Sequence, residues 1–216
     1  MLDHNHSTQT GKPSSLARYE AAIELSDAPD RLVQFLEIYE EARGDRLVPT
    51  RADLSFRRLA RLLPDITIME RSKPGSVVYR LMGTAVVERI GADLTGHNYL
   101  NYLTETERAR NDFGMAIVAE IPCGTYSIYD NQYASGVCSQ NESLMLPIDN
   151  GAGEGPYQIL GMHLAQNPLH YGEERDQTVI GIKWRKGVVI DLGRGAPDQA
   201  AMEALKPPLA QNEGVN

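Results

Sequence analysis

The chain has 216 residues, of which 42% are hydrophobic, 23% charged and 6% aromatic, with 21 Lys and Arg against 29 Asp and Glu. That length suits one domain with extensions, or two small ones, and is enough to bury a real core. A formal charge of −8 argues against nucleic acid as the main partner, because neutralising phosphates needs surplus Lys and Arg. No apolar run reaches the ~20 residues of a membrane span, and the opening MLDHNHSTQTGKPSS lacks the apolar core of a signal peptide. Two cysteines, Cys123 and Cys138, are too few for a disulfide framework, so a cytoplasmic protein with reduced thiols is expected.

Residues 1–27 are polar apart from a short helix around Leu16–Leu25 and read as a flexible N-terminal segment. In DRLVQFLEIYEEAR, the residues Leu32, Phe35, Leu36 and Tyr39 recur at helical spacing, with Asp30 placed to cap and Gly44 to stop the helix. A shorter helix follows in ADLSFRRLARLLP, ended by Pro64. ITIMER and VVYRLMG, separated by KPGS, are strand candidates, and TAVVERIG reads as one to two helical turns capped by Thr84. Thr104 and Glu107 have capping-box spacing and open a long helix to about Ile121, with Ala109, Phe113, Ala116 and Ile117 on one face. GTYSIYDNQY, NESLMLPID and PYQILGMHLA then read as strands, and the glycine-rich NGAGEG between the last two as a hairpin turn. TVIGIKWR and VVIDLG flank Lys186-Gly187 and predict a second hairpin over 171–193, after which 194–216 is a loose tail. The order predicts an α+β domain: an antiparallel sheet covered on one face by helices, with a flanking helix ahead and a hairpin behind. A cavity between sheet and helices is the natural ligand site.

Three stretches carry a family resemblance. LVPTRADL…LARLLPDITIME, YRLMGTAVVERIGADLTGHNYLNYL and SLMLPID contain Arg51, Leu63-Pro64, Arg80-Leu81-Met82-Gly83-Thr84, Gly91, Leu94-Thr95-Gly96 and Leu146-Pro147. This wording resembles small stand-alone bacterial PAS-type proteins over roughly Leu32 to Leu164, within a domain drawn as 28–170 with its N-terminal helical cap. The chain departs from the family at Ser55-Phe56, where an Asp-Pro pair is common, and at His97, where Arg or Lys often follows the LTG glycine. The resemblance implies a sensory or interaction module that holds a small molecule, or nothing, between sheet and helices and signals to a partner.

Other chemistries find weaker support. His4, His6, His97, His163 and His170 form no HExxH pattern and the cysteines no CxxC, so no metal site is predicted. The light-sensing relatives' flavin-adduct cysteine has no counterpart in LNYLTETE, which disfavours a flavin adduct; haem ligation would fall to His163. GAGEG joins two strands and lacks the Lys-Ser/Thr ending of a phosphate loop. No G-x-S-x-G elbow surrounds Ser135 or Ser139, and Glu105/Glu107 and Glu173/Glu174 fit a helix start and a solvated turn. No catalytic residue is predicted.

The candidate ligand contacts are Tyr79, Arg80, Thr84, Glu88, His97 and His163. Arg80, on a strand, needs a carboxylate partner if it points inward, and Glu88 or a ligand acid would serve. Leu32, Phe35, Leu36 and Tyr39 form an apolar stripe outside the PAS-like unit and are the candidate interaction surface. Residues 43–73 hold eight basic and four acidic residues, a local +4 that leaves −12 for the rest of the chain. The expectation is a non-enzymatic regulator and homodimer whose output lies in a signalling partner, since the chain leaves no room for an attached output domain. The alternatives are a small-metabolite binding protein or a small lyase or hydrolase built on a helix-covered sheet.

Overall fold

The structure, a computed structural model, describes residues 14–151, 157–166 and 179–197. Its centre is a six-stranded sheet built from β1 (Ile66–Lys73), β2 (Ser76–Met82), β3 (Gly124–Tyr133), β4 (Cys138–Ile148), β5 (Gln158–Ala165) and β6 (Val179–Ile190). The strand order is β2-β1-β5-β4-β3-β6, with every neighbouring pair antiparallel. The helices are α1 (Glu20–Leu25), α2 (Pro29–Arg43), α3 (Phe56–Leu59), α4 (Thr84–Ile90) and α5 (Glu105–Glu120), with short 3-10 turns at Ser14–Tyr19, Arg51–Asp53, Leu63–Asp65 and Tyr99–Tyr102. Among the described residues no helix is long and apolar enough to cross a membrane.

Strand alternation sorts the side chains onto two faces, and both faces are covered. Ile66, Ile68, Leu144, Leu146, Leu160 and Met162 share one apolar cluster with α1 and α2. Met69, Val77, Tyr79, Met145 and Ile159 point the other way and pack with Leu94, Leu100 and the C-terminal half of α5. The expectation of a single covered face is therefore corrected: α4 and α5 cover one side, and the flanking helices cover the other.

The stripe Leu32, Phe35, Leu36 and Tyr39 lies at 0–1% exposure inside the first cluster. It does not form a free interaction surface, because the bare sheet face beneath α2 is the nearest apolar partner. Polar locks hold this layer in place. The Tyr39 hydroxyl donates to the Pro147 carbonyl at 2.7 Å. The buried Glu142 carboxylate accepts from Ser26 Oγ at 2.8 Å, from the Asp27 amide at 3.3 Å and from the Tyr126 hydroxyl at 2.5 Å.

Three local expectations also change. Helix α2 begins with Pro29 in its first turn after Ala28, a placement that sacrifices no hydrogen bond, and Asp30 sits inside the first turn instead of capping. Gly83, not Thr84, precedes α4 as its cap. The second hairpin is instead one strand: β6 runs through Lys186-Gly187 and pairs with β3 along its length. Gly187 is there for space, since a Cβ would stand 2.4 Å from the Tyr126 carbonyl oxygen. The GAGEG turn falls mostly outside the described residues, as do His4, His6, His170 and the Glu173/Glu174 pair; Ile148 pairs with Gln158 on either side of the turn.

The two family motifs have structural reasons. Gly83 ends β2 under the preceding turn, where a Cβ would come within 2.3 Å of the Leu63 and Pro64 carbonyl oxygens. The LTG segment lies along the free edge of β2: the Gly96 amide donates to the Tyr79 carbonyl at 2.8 Å, and the Tyr79 amide to the His97 carbonyl at 3.2 Å. Asn98 completes this edge, accepting from the Val77 amide and donating to the Gly75 carbonyl.

Candidate functional site

Between the second sheet face and helices α4 and α5 lies a cavity of about 340 Å³, at the small-molecule end of the range for ligand pockets. Its floor comes from the sheet. Ser127, Tyr129 and Asn131 of β3, Asn141 and Ser143 of β4 and His163 of β5 all line it. Odd-numbered residues of β3 and β4 meet there because register pairs Ser127 with Ser143 and Tyr129 with Asn141. Ile182 and Trp184 of β6 extend the wall, since they stand opposite Asn131 and Tyr129. The roof is α4 through Val86 and Arg89, and α5 through Arg110, Phe113 and Gly114.

His163 shares the face of Ile159 and Gly161, as its alternation predicts. Its Nε2 lies 2.9 Å from the Thr67 hydroxyl and its Nδ1 3.4 Å from the Tyr129 hydroxyl, so both ring nitrogens have partners within the protein. Burial, and then the nearby Arg89 charge, pull its pKa down to about 3, and the ring is neutral at physiological pH. Burial pushes the Tyr129 phenol up to about 12 and those of Tyr79 and Tyr99 well above the ordinary tyrosine range. Tyr79 and Tyr99 meet edge to face at 5.7 Å between ring centres, a preferred aromatic geometry. These groups act as hydrogen-bonding and apolar surface, with no proton to exchange near neutral pH.

Arg89 is committed to the protein: it donates to Asp65 at 2.8 Å and to the His163 carbonyl at 2.8 Å, while Arg31 holds the other Asp65 oxygen at 2.7 Å. Arg110 is different. Its Nε–H is buried without a hydrogen-bond partner among the described residues. Asn131, only 6% exposed, likewise has no side-chain hydrogen bond among the described residues. No carboxylate is among the described residues that line the cavity.

Of the sequence-predicted contacts, Tyr79 and His163 line the cavity and the other four do not. Arg80 is exposed on the edge strand and forms a two-pronged pair with Glu70 of β1, both contacts at 3.1 Å. Its partner is thus a neighbouring strand, not Glu88 or a ligand. Thr84, Glu88 and His97 are exposed. Neither cysteine lines the cavity: Cys123 is buried with its thiol 3.2 Å from the Gly195 carbonyl, and Cys138 is exposed at the start of β4. Burial raises the Cys123 thiol pKa, which keeps it protonated and unreactive. No group of three or more metal-ligating side chains occurs among the described residues. Ser139 is buried against Tyr133 and Asn141, with no histidine beside it. Residues 43–73 are laced by ion pairs, Arg43 with Glu40, Arg46 with Asp53 and Arg58 with Glu41 among them, in keeping with a solvated, partly neutralised face.

Sequence reasoning missed Arg110, Gly114, Asn131 and Trp184. Gly114 had a visible signal, a glycine inside a strong helical pattern. Asn131 alternates with Tyr129 on a predicted strand, but nothing local says which face carries the cavity.

An antiparallel sheet with an internal cavity roofed by short and long helices defines an α+β domain. The comparison with protein families names it: residues 29–164 match the PAS domain family, and the chain belongs to that family. No curated protein matches the chain. Among solved structures, it is similar to a light-oxygen-voltage domain whose mechanism was studied with a flavin analogue. That match has 16% identity and a TM-score of 0.40, and covers 51% of this chain and 83% of that one. It is also similar to the LOV protein of Rhodobacter sphaeroides, at 20% identity and a TM-score of 0.37, covering 50% of this chain and 63%, just under two thirds, of that one.

Proposed function

We propose that this chain is a cytoplasmic sensory module in which a small molecule occupies the sheet–helix cavity and alters contact with a second copy or a signalling partner. Membership of the PAS family supports a sensory role. The observation that carries the ligand is Gly114. A glycine within a helix costs roughly 0.5–1 kcal/mol relative to alanine, yet a Cβ at this position of α5 would meet nothing within 4 Å. Gly114 is also a lining residue of the cavity, which supports reading its missing side chain as room for an occupant. For output, the α2 stripe is buried, so a partner has to use another surface. Strand β6 supports this role. It lines the cavity through Ile182 and Trp184, and among the described residues its outer edge has no strand neighbour, leaving backbone groups able to pair with another chain.

The test uses Gly114→Phe, which grows a ring into the open space. Native mass spectrometry of gently purified protein is expected to find a retained small molecule on the wild type and none on the variant. Hydrogen exchange in β6 is expected to be faster in the variant, and light scattering to report a dimer whose stability differs between the two proteins. A wild type that retains no small molecule, with exchange and association state the same in both proteins, would overturn the reading.

A further inference from the structure

We infer that the molecule held in the cavity is an amphipathic anion: an apolar or aromatic body with a carboxylate or phosphate group at one end, bound through Arg110. This rests on the cavity reading above and names the chemistry of its occupant. Arg110 and Gly114 are four residues apart on α5 and line the same cavity, so the guanidinium lies one helical turn from the open space that the glycine leaves. A buried N–H donor without an acceptor is costly, more so when it carries charge, and the Arg110 Nε–H is such a donor. The other cavity arginine, Arg89, is paired with Asp65, and no described lining residue is an acid. The unpartnered Nε–H thus favours a negative group on the ligand, which a guanidinium binds through short, charge-assisted hydrogen bonds.

The rest of the lining sets the other end. Phe113, Trp184, Ile182 and Met145 offer apolar surface. Across the chamber from α5, Asn131 and Ser143 present polar side chains on the cavity floor. A ligand with an anionic head at the helix, a flat apolar middle and a hydroxyl, carbonyl or amide at the sheet satisfies all three.

Two fluorescent probes with the same ring system test this. Anilinonaphthalene sulfonate carries the anion and phenylnaphthylamine lacks it. Trp184 is the only tryptophan in the chain and lines the cavity, so energy transfer from it that Gly114→Phe removes reports binding there. Wild type is expected to bind the sulfonate at least about tenfold more tightly than the amine, the scale of one charge-assisted contact. Arg110→Gln should abolish that preference while leaving the amine unchanged, and Arg110→Lys should restore part of it. Equal binding of the two probes by wild type, which needs no variant to fold, would overturn the anion while leaving the cavity intact. If neither probe receives energy from Trp184, the cavity reading fails, and the anion with it. Competition by naphthoate or by naphthyl phosphate would identify the head group, and competition by neither would count against the proposal.

Discussion

A Cβ placed at Gly83 would stand 2.3 Å from two carbonyl oxygens, whereas one at Gly114 would touch nothing within 4 Å. The same substitution should therefore have opposite signs. Gly83→Ala has to push backbone apart and is expected to cost ~1–3 kcal/mol; Gly114→Ala removes helix-interior glycine and should gain roughly 0.5–1 kcal/mol. Urea unfolding of both variants checks the pair. His163 sets a pH dependence. Its pKa falls from 6.5 to about 3 on folding, so between those values the unfolded chain binds more protons and stability rises with pH. The contribution of neutral His163 is complete above 6.5 and is lost progressively as pH drops toward about 3. His163→Gln should flatten that acid limb relative to wild type in urea unfolding measured at a series of pH values; parallel limbs would reject the assignment.

At the scale of elements, α2 is the surprise. Its stripe was plain in the sequence, but a stripe states only that a helix face is buried, not against what. The sheet beneath it decides: Ile68, Leu144 and Leu160 would face water without α1 and α2. Phe35, fully buried in that cluster, should cost ~3–5 kcal/mol on replacement by Ala, with no change in association state by light scattering; a variant as stable as wild type but monomeric would return the stripe to an interface role. Strand β6 teaches the complementary lesson. Lys186-Gly187 looks like a turn because glycine tolerates turn geometry, but here the glycine makes room for the Tyr126 carbonyl. Only the presence of β3 alongside separates the two uses.

In the whole molecule, β5 and β4 lie at the centre of a sheet covered on both faces, while β6 has one strand neighbour among the described residues. Native-state hydrogen exchange is expected to follow this order, slowest in β4 and β5 and faster in β6. Uniform protection across the six strands would contradict the ranking. β6 is also a wall of the cavity through Ile182 and Trp184.

The sequence by itself determined the helices and the first five strands, because 3.6- and 2-residue periodicities and the Pro, Gly and Thr punctuation are local. It also carried the family, through glycines such as Gly83 whose need for space shows as a motif. The site was legible only at Tyr79 and His163. Arg80, Thr84, Glu88 and His97 read as contacts because each is polar beside a motif, yet none of them lines the cavity, and Arg80 pairs with Glu70 on the neighbouring strand. Arg110 and Asn131 are brought to one chamber from a helix and a strand by the tertiary structure alone. Whether a polar side chain is paired depends on what the rest of the fold places opposite it.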